Sequence, residues 1–359
     1  MPESQPSQRL SYRAAGVDID AGDAVVSNIR AAVARTRGER VVGGLGHFGG
    51  FYRIGPAGPG ATLVASADGV GTKLLVAIAA GRHEGVGYDI VHHCVNDVLA
   101  CGAAPLFFLD YYGTGKLRPE VATTVVTGIA RACEALDIAL LGGETAEMPG
   151  LYSGNDYDLV GFVVGLVDQS GLIDGTTIQR DDVLLGLPST GFHTNGYSLV
   201  RAALGLNGIS GDDARRKLAE PDPFDARQTL AEALLAPHRC YRDEVMSLTR
   251  ANVVRGMAHI TGGGLPGNVG RIIPEGLVAE INPATWETPQ LFRYVAKIGD
   301  IPSGECFRAF NMGIGYVVIV HPGDVVHARQ LVPELREIGY VRPGTGVVRA
   351  VVTEPHAIF

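Results

Sequence analysis

The chain has 359 residues, enough for two domains of ordinary size, each with its own core. Its 46% apolar and 19% charged residues describe a globular protein, and a net charge of -8 argues against a broad nucleic-acid footprint and against docking to an anionic membrane surface. Any anionic ligand has to be met by local amides, lysines or metal, and the 49 glycines, about twice the usual share, point to loops that approach a ligand closely.

In chain order, Met1 to Leu10 is polar and no apolar run nears the roughly 18 residues of a membrane span, so a cytoplasmic location is expected. Asp23 to Arg37 reads as a helix. Gly43 to Gly50 contains a Gly-x-Gly-x-x-Gly match at Gly44, Gly46 and Gly49, but it follows a helix-like stretch and runs into Phe51-Tyr52-Arg53-Ile54. It lacks the strand, loop and helix order of a dinucleotide fold and reads as a mobile flap over a nucleotide.

Thr62 to Ser66 reads as a strand, and Ser66-Ala67-Asp68-Gly69-Val70-Gly71-Thr72-Lys73 then sets an acid, glycines, a hydroxyl and a lysine in one turn. Glycine amides and Lys73 can meet phosphate oxygens, while Asp68 can hold a magnesium ion that bridges them. The order of residues is not that of a Walker A loop, and an ordinary Asp-Gly turn closing a hairpin is the competing reading. Asp89 to Cys101 reads as a helix on which Asp89, His93, Asn96 and Asp97 share one side, either as a row of cation ligands or as a solvated face.

Pro105 to Tyr112 reads as a strand, Pro119 to Leu136 as a helix and Ile138 to Leu141 as a buried strand. That strand is expected to stop at Gly142-Gly143 and present Glu144, Thr145 and Glu147. Leu159 to Val167 is a strongly apolar strand, and the polar stretch Asp168 to Asp182 places a domain boundary near residue 170. The second half mixes strands Val183 to Leu187 and Gly315 to Val320 with helices Leu291 to Lys297 and Val325 to Ile338. Cys94, Cys101, Cys133, Cys240 and Cys306 form no Cys-x-x-Cys pair and read as buried thiols, and a zinc site of His92, His93, Cys94 and Cys101 lacks a second ligand pair.

Four blocks in one order, Ser66 to Lys73, Cys94-Val-Asn-Asp97, Pro105 to Lys116 and Gly142 to Gly150, closely resemble the phosphoribosylformylglycinamidine cyclo-ligase family. Ser11 to Asp20 is similar to its nucleotide-covering segment, and Gly191 to Ser198 and His259 to Gly264 to its second-domain motifs. The resemblance spans roughly residues 10 to 350. Gly113 and Phe192 stand where that family usually has Ala and Pro. Selenophosphate synthetase, a neighbouring family, would show a reactive residue near the N-terminal glycines, and no Cys precedes Cys94. A nucleotide-binding regulator and a nicotinamide oxidoreductase are readings from other classes.

The resemblance implies an α/β (mixed α+β) two-domain ATP-binding synthetase fold, residues 1–170 and 171–359, with N-terminal sheets pairing across a homodimer. It implies ATP and Mg2+ as cofactors, formylglycinamidine ribonucleotide as substrate and 5-aminoimidazole ribonucleotide as product. Asp68, Asp97 and Glu144 are then candidates for the metal, supported by Asn96 and Asp89. Gly44, Gly46, Gly69, Gly71, Thr72, Lys73, Gly143 and Thr145 are candidates for the nucleotide. His193, in a turn expected to be exposed, joins Asn195, Thr261, Gly262, Gly263, Asn268 and Arg271 as a substrate candidate. Lys73 and His193 are the catalytic candidates, while His259, Cys240 and Cys306 are expected to be structural.

Overall fold

Alternating apolar residues along the first half build one sheet, and near-continuous apolar runs in the second half build another. The computed structural model describes residues 10–20, 24, 27–28, 35, 38–42, 47–54, 60–345 and 348–353. The first sheet comprises β1 (Val41–Val42), β2 (Gly50–Arg53), β3 (Ala61–Gly69), β4 (Ala104–Thr114), β5 (Ala139–Glu147) and β6 (Tyr157–Asp168). Its spatial order is β1-β2-β3-β6-β4-β5, antiparallel except for β4 with β5. Helices α1 (Lys73–Ala80), α2 (Glu84–Leu99) and α3 (Pro119–Ala135) belong to this half.

The second half begins with β7 (Val183–Pro188), α4 (Tyr197–Ala203), α5 (Gly211–Leu218), a small two-stranded sheet of β8 (Pro221–Asp222) and β9 (Asp225–Thr229), α6 (Leu230–Leu234) and α7 (Arg242–Arg250). It continues through β10 (Val254–His259), α8 (Gly264–Gly270), β11 (Leu277–Ile281), α9 (Gln290–Ile298), α10 (Ser303–Ala309), β12 (Ile314–Val320), α11 (Val325–Leu331), β13 (Arg336–Pro343) and β14 (Ala350–Val352). The second sheet has the order β10-β12-β7-β13-β11-β14. Every residue of β12 is buried, as its unbroken apolar run requires of a strand covered on both faces.

The helix α2 positions the site. It packs on β3, β4 and β6 on one side and on α7 and β10 on the other, so it lies between the two halves. Two glycines let it approach α3: a Cβ on Gly87 would stand 2.4 Å from the Val125 carbonyl, and one on Gly128 would stand 2.3 Å from that of Glu84. The side expected to be either metal-ligating or solvated is buried, with Asp89, His93, Asn96 and Asp97 all withdrawn from solvent.

Several expected boundaries differ. β5 runs through Gly142 and Gly143 to Glu147, because it pairs with β4 along its whole length, and as an edge strand it is largely exposed rather than buried. The expected helix over Val325 to Ile338 ends at Leu331, after which β13 pairs with β7. The helix Asp23 to Arg37 lies largely outside the described residues.

Candidate active site

Lys73, expected at the phosphates, and Asp89 and Asn96, expected to support the metal, meet groups of the second half in this arrangement. Lys73 opens α1 with its ammonium fully buried, 2.8 Å from Asp89 Oδ2, and it donates to the Ala236 carbonyl at 2.9 Å. Asp89 Oδ1 accepts the His238 amide at 2.8 Å. About two helical turns further along α2, Asn96 accepts from the Tyr241 amide (2.9 Å) and donates to the Arg239 carbonyl (2.8 Å). Lys73, Asp89 and Asn96 thus clamp the segment 236–241 of the second half onto α2. Burial pushes the Lys73 ammonium down and the Asp89 carboxyl up, and each partner's charge opposes that shift.

A chain of polar contacts crosses the seam beside this clamp. Asp68 Oδ2 lies 2.9 Å from His93 Nε2, and His93 Nδ1 lies 2.8 Å from Thr194 Oγ1. Thr194 Oγ1 is 3.3 Å from His238 Nδ1, and the Nε2 atoms of His238 and His259 are 2.9 Å apart. His259 Nδ1 meets Asp97 Oδ1 at 2.8 Å, and Asp97 Oδ2 accepts from Ser66 Oγ at 2.9 Å. The chain therefore starts and ends on β3. Burial by itself would lower the His93 imidazole, but the Asp68 charge, with Asp97 and Asp89 behind it, pushes it up to about 9. For Asp68 burial would raise the carboxyl, yet His93 and the Gly69 amide outweigh it and bring it down to about 2.

The Asp68 side chain is 46% exposed, while Asp97 is 8% and His93 3% exposed. An ionised, accessible carboxylate at the end of β3 fits one ligand of a hard cation whose other ligands come from phosphates and water. Within the one chain, Glu144 lies apart from Asp68. Asp68, Gly161, Asp110 and Gly143 lie in one row across β3, β6, β4 and β5, so Glu144 stands about three strand spacings, or roughly 14 Å, from Asp68. Gly143, Glu144 and Thr145 are exposed on the edge strand.

Around the turn after β3, Gly69 N–H donates to Asp68 Oδ1 (2.7 Å) and Val70 N–H to the Leu159 carbonyl (3.2 Å), so these amides are already engaged. Gly71 has φ +68, a conformation that favours glycine, and Thr72 Oγ1 is 3.0 Å from Ser198 Oγ. Gly44 and Gly46 lie outside the described residues. The segment at Ser11 to Asp20 docks on the second half, with Tyr12 accepting the Gly196 amide at 3.1 Å.

His193 is buried rather than exposed. Its Nε2 accepts the Thr190 amide at 3.2 Å, and its ring stacks on His238 with centroids 4.0 Å apart. Burial and the surrounding imidazoles hold both rings well below the usual histidine range, so both are neutral at pH 7. Asn268 is buried and donates to the carbonyls of Thr261, Gly262 and Gly264, which makes it the scaffold of that glycine turn. Asn195 lies at the same turn, 3.4 Å from where a Cβ on Gly262 would stand. Gly263 lines a cavity of about 550 Å³ with Gly267, Arg308 and Arg349. Arg271 points elsewhere, over the Phe48 ring at 5.3 Å.

The AIR synthase related protein N-terminal domain family matches residues 46–167, and the corresponding C-terminal domain family matches residues 179–352. The phosphoribosylformylglycinamidine cyclo-ligase of Myxococcus xanthus (strain DK1622) is 47% identical over 348 residues, 95% of this chain and 99% of that protein. The chain belongs to the phosphoribosylformylglycinamidine cyclo-ligase family. The cyclo-ligase of Desulfitobacterium hafniense (strain DSM 10664 / DCB-2) is 50% identical over 88% of this chain and 90% of its own length. Among solved structures, AaThiL complexed with AMPPCP and TMP has a TM-score of 0.61 at 16% identity and covers 97% of this chain and 96% of its own. That likeness establishes a shared two-domain fold.

Within this cyclo-ligase family member, sequence reasoning missed His238 and Thr194 as members of the site, and it set His259 aside as structural. His238 stands alone between Pro237 and Arg239, with no periodic or motif signal, and only the clamp on α2 brings it to the site. Cys94, Cys101, Cys133 and Cys306 are buried as expected, whereas Cys240 is only partly buried; burial pushes Cys133, Cys240 and Cys306 up to about 12 and Cys94 well above the usual thiol range.

Proposed function

We propose that the chain uses ATP to close the imidazole ring of formylglycinamidine ribonucleotide, giving 5-aminoimidazole ribonucleotide, ADP and phosphate, in purine synthesis. The observation that carries the reading of the site is Asp68: of the seven residues in the chain of contacts across the seam, it alone presents a half-exposed, ionised carboxylate, backed by buried imidazoles from both halves.

The formyl carbonyl is a poor electrophile, and its oxygen is a poor leaving group. Transfer of the γ-phosphoryl group of ATP to that oxygen corrects both. An amidine nitrogen then attacks the formyl carbon, the C–O bond breaks, and the oxygen departs with inorganic phosphate as the nitrogen loses a proton. Such a transfer asks the protein mainly for positioning and charge stabilisation. Mg2+, bound with the nucleotide, supplies neutralisation of phosphate charge, and Asp68, with Asp97 behind it, is the residue set that would hold it. His93, kept cationic by its carboxylates, is the buried positive charge nearest Asp68, a part that Lys73 is too enclosed to play in this arrangement.

The cavity beside Gly263 takes the ribose 5-phosphate in this reading, with Arg308 and Arg349 as its cations. His193 fixes the turn from Thr190 to Thr194 that brings Thr194 to His93. The chain works as a homodimer joined through the open face of its first sheet, where Leu106, Leu141 and Phe162 are exposed. The test is the fate of the formyl oxygen. Freshly prepared substrate carrying heavy oxygen there yields labelled phosphate in a single turnover, and unlabelled phosphate from unexchanged substrate refutes the phosphorylated intermediate.

A further inference from the structure

The segment Ser11 to Asp20 folds on itself and lies across α10. Ala15 N–H donates to the Ser11 carbonyl at 2.9 Å and Val17 N–H to that of Tyr12 at 3.0 Å, which closes a compact turn. Both ends of the segment reach α10, on residues one helical turn apart. Tyr12 N–H donates to Glu305 Oε1 at 2.9 Å, and Arg308 donates to Asp20 Oδ1 at 2.8 Å. The two attachments are unequal. The Tyr12 ring is buried and its hydroxyl accepts the Gly196 amide, whereas the Asp20 and Arg308 side chains are 71% and 48% exposed. Exposed ion pairs contribute little, so the Asp20 end is the one that can let go.

Arg308 also lines the cavity beside Gly263, and Ile19 of the same segment forms part of its wall. Two guanidinium groups and, among the described residues, no carboxylate line this space, and a Cβ on Gly267 would meet nothing within 4 Å. Arg349 donates one N–H to the Ile273 carbonyl at 3.1 Å. A phosphate group entering the cavity therefore meets an arginine that already holds a carboxylate. Its greater charge and its extra acceptor oxygens make it the stronger partner for a guanidinium fork.

We propose that Asp20 holds the place of the substrate's phosphate on Arg308, and that the phosphate displaces it on binding. The inference rests on the reading of this cavity as the seat of the ribose 5-phosphate. Asp20 is then a specificity-determining residue: a phosphate ester displaces it, whereas an unphosphorylated ribose lacks the charge to do so. The exchange releases the Asp20 end of the segment, while Tyr12 keeps its hold on Gly196 and Glu305.

The test uses the full chain without nucleotide and ribose 5-phosphate as the probe, with affinity measured by calorimetry and folding checked by circular dichroism. Wild type is expected to bind with a dissociation constant of about 1 mM or tighter, and Arg308→Gln about 10-fold more weakly. Asp20→Asn binds about 3- to 5-fold more tightly than wild type, because the competing carboxylate is gone. In the Arg308→Gln background Asp20→Asn changes nothing, since Asp20 acts through that arginine. Amide hydrogen exchange of residues 13–20 quickens in wild type on saturation with ribose 5-phosphate, and in Asp20→Asn it is fast from the start. Wild-type affinity in folded Asp20→Asn, an equal gain in both backgrounds, or exchange in wild type that the probe leaves unaltered overturns the displacement and leaves the phosphate cavity standing. Unchanged affinity in folded Arg308→Gln, or no binding by wild type at about 10 mM probe, removes the cavity reading and the displacement with it.

Discussion

Replacing Lys73 by Met separates a structural from a phosphate-binding role for this lysine. Lys73 and Asp89 are both 0% exposed, with 2.8 Å between their charges, and the lysine also donates to the Ala236 carbonyl and lies over the Tyr197 ring. Removing the ammonium leaves the Asp89 carboxylate buried with the His238 amide as its remaining close donor. Breaking one side of such a pair costs about 3 to 5 kcal/mol, because the orphaned charge keeps its desolvation penalty. Lys73→Met combined with Asp89→Asn removes both charges, keeps an acceptor for His238, and is expected to recover more than half of the loss. The assay is urea unfolding of the wild type, both single variants and the double variant, with AMPPCP affinity measured under native conditions. A Lys73→Met protein within about 1 kcal/mol of wild type that binds AMPPCP at least 10-fold more weakly refutes the clamp and restores the phosphate contact.

Asp68→Asn and Asp97→Asn are expected to lower turnover by at least 100-fold while circular dichroism stays unchanged, and near-normal rates at limiting Mg2+ would remove both from the metal reading. His93 is raised from 6.5 to about 9, so its contribution to stability is fully present below pH 6.5 and is lost as pH rises through 9. Thermal unfolding from pH 7 to 10 should therefore destabilise the wild type more than His93→Gln, and parallel curves would contradict the assignment. His193 and His238 are lowered, so the unfolded chain binds more protons below pH 6.5 and stability falls there; His238→Gln should blunt that loss. Light scattering should report twice the 37.7 kDa chain mass at micromolar concentration, and Leu141→Glu with Phe162→Glu should reduce it to one chain.

Much of this protein is written locally. The turn after β3, the polar side of α2 and the glycine turn before α8 are each legible because periodicity and glycine punctuation act over a few residues, and the order of their motifs declares the family. The same local signals mislead where pairing decides the outcome: Gly142 and Gly143 look like a strand end, yet register against β4 carries β5 on to Glu147 and sets Glu144 on an edge away from Asp68. Partner choice is likewise tertiary. A lysine beside glycines is a phosphate ligand by composition, but α1 aims Lys73 into the seam, where Asp89 is the charge that can offset its burial. His238 carries no signal at all in one dimension, and it becomes part of the site because Asp89 and Asn96 hold segment 236–241 against α2. Sequence thus determined which chemical groups the protein owns and which fold they serve. Packing of the second half on α2 alone decided which of those groups meet, because desolvation forces every buried charge and imidazole to take the partner that the tertiary structure brings within reach.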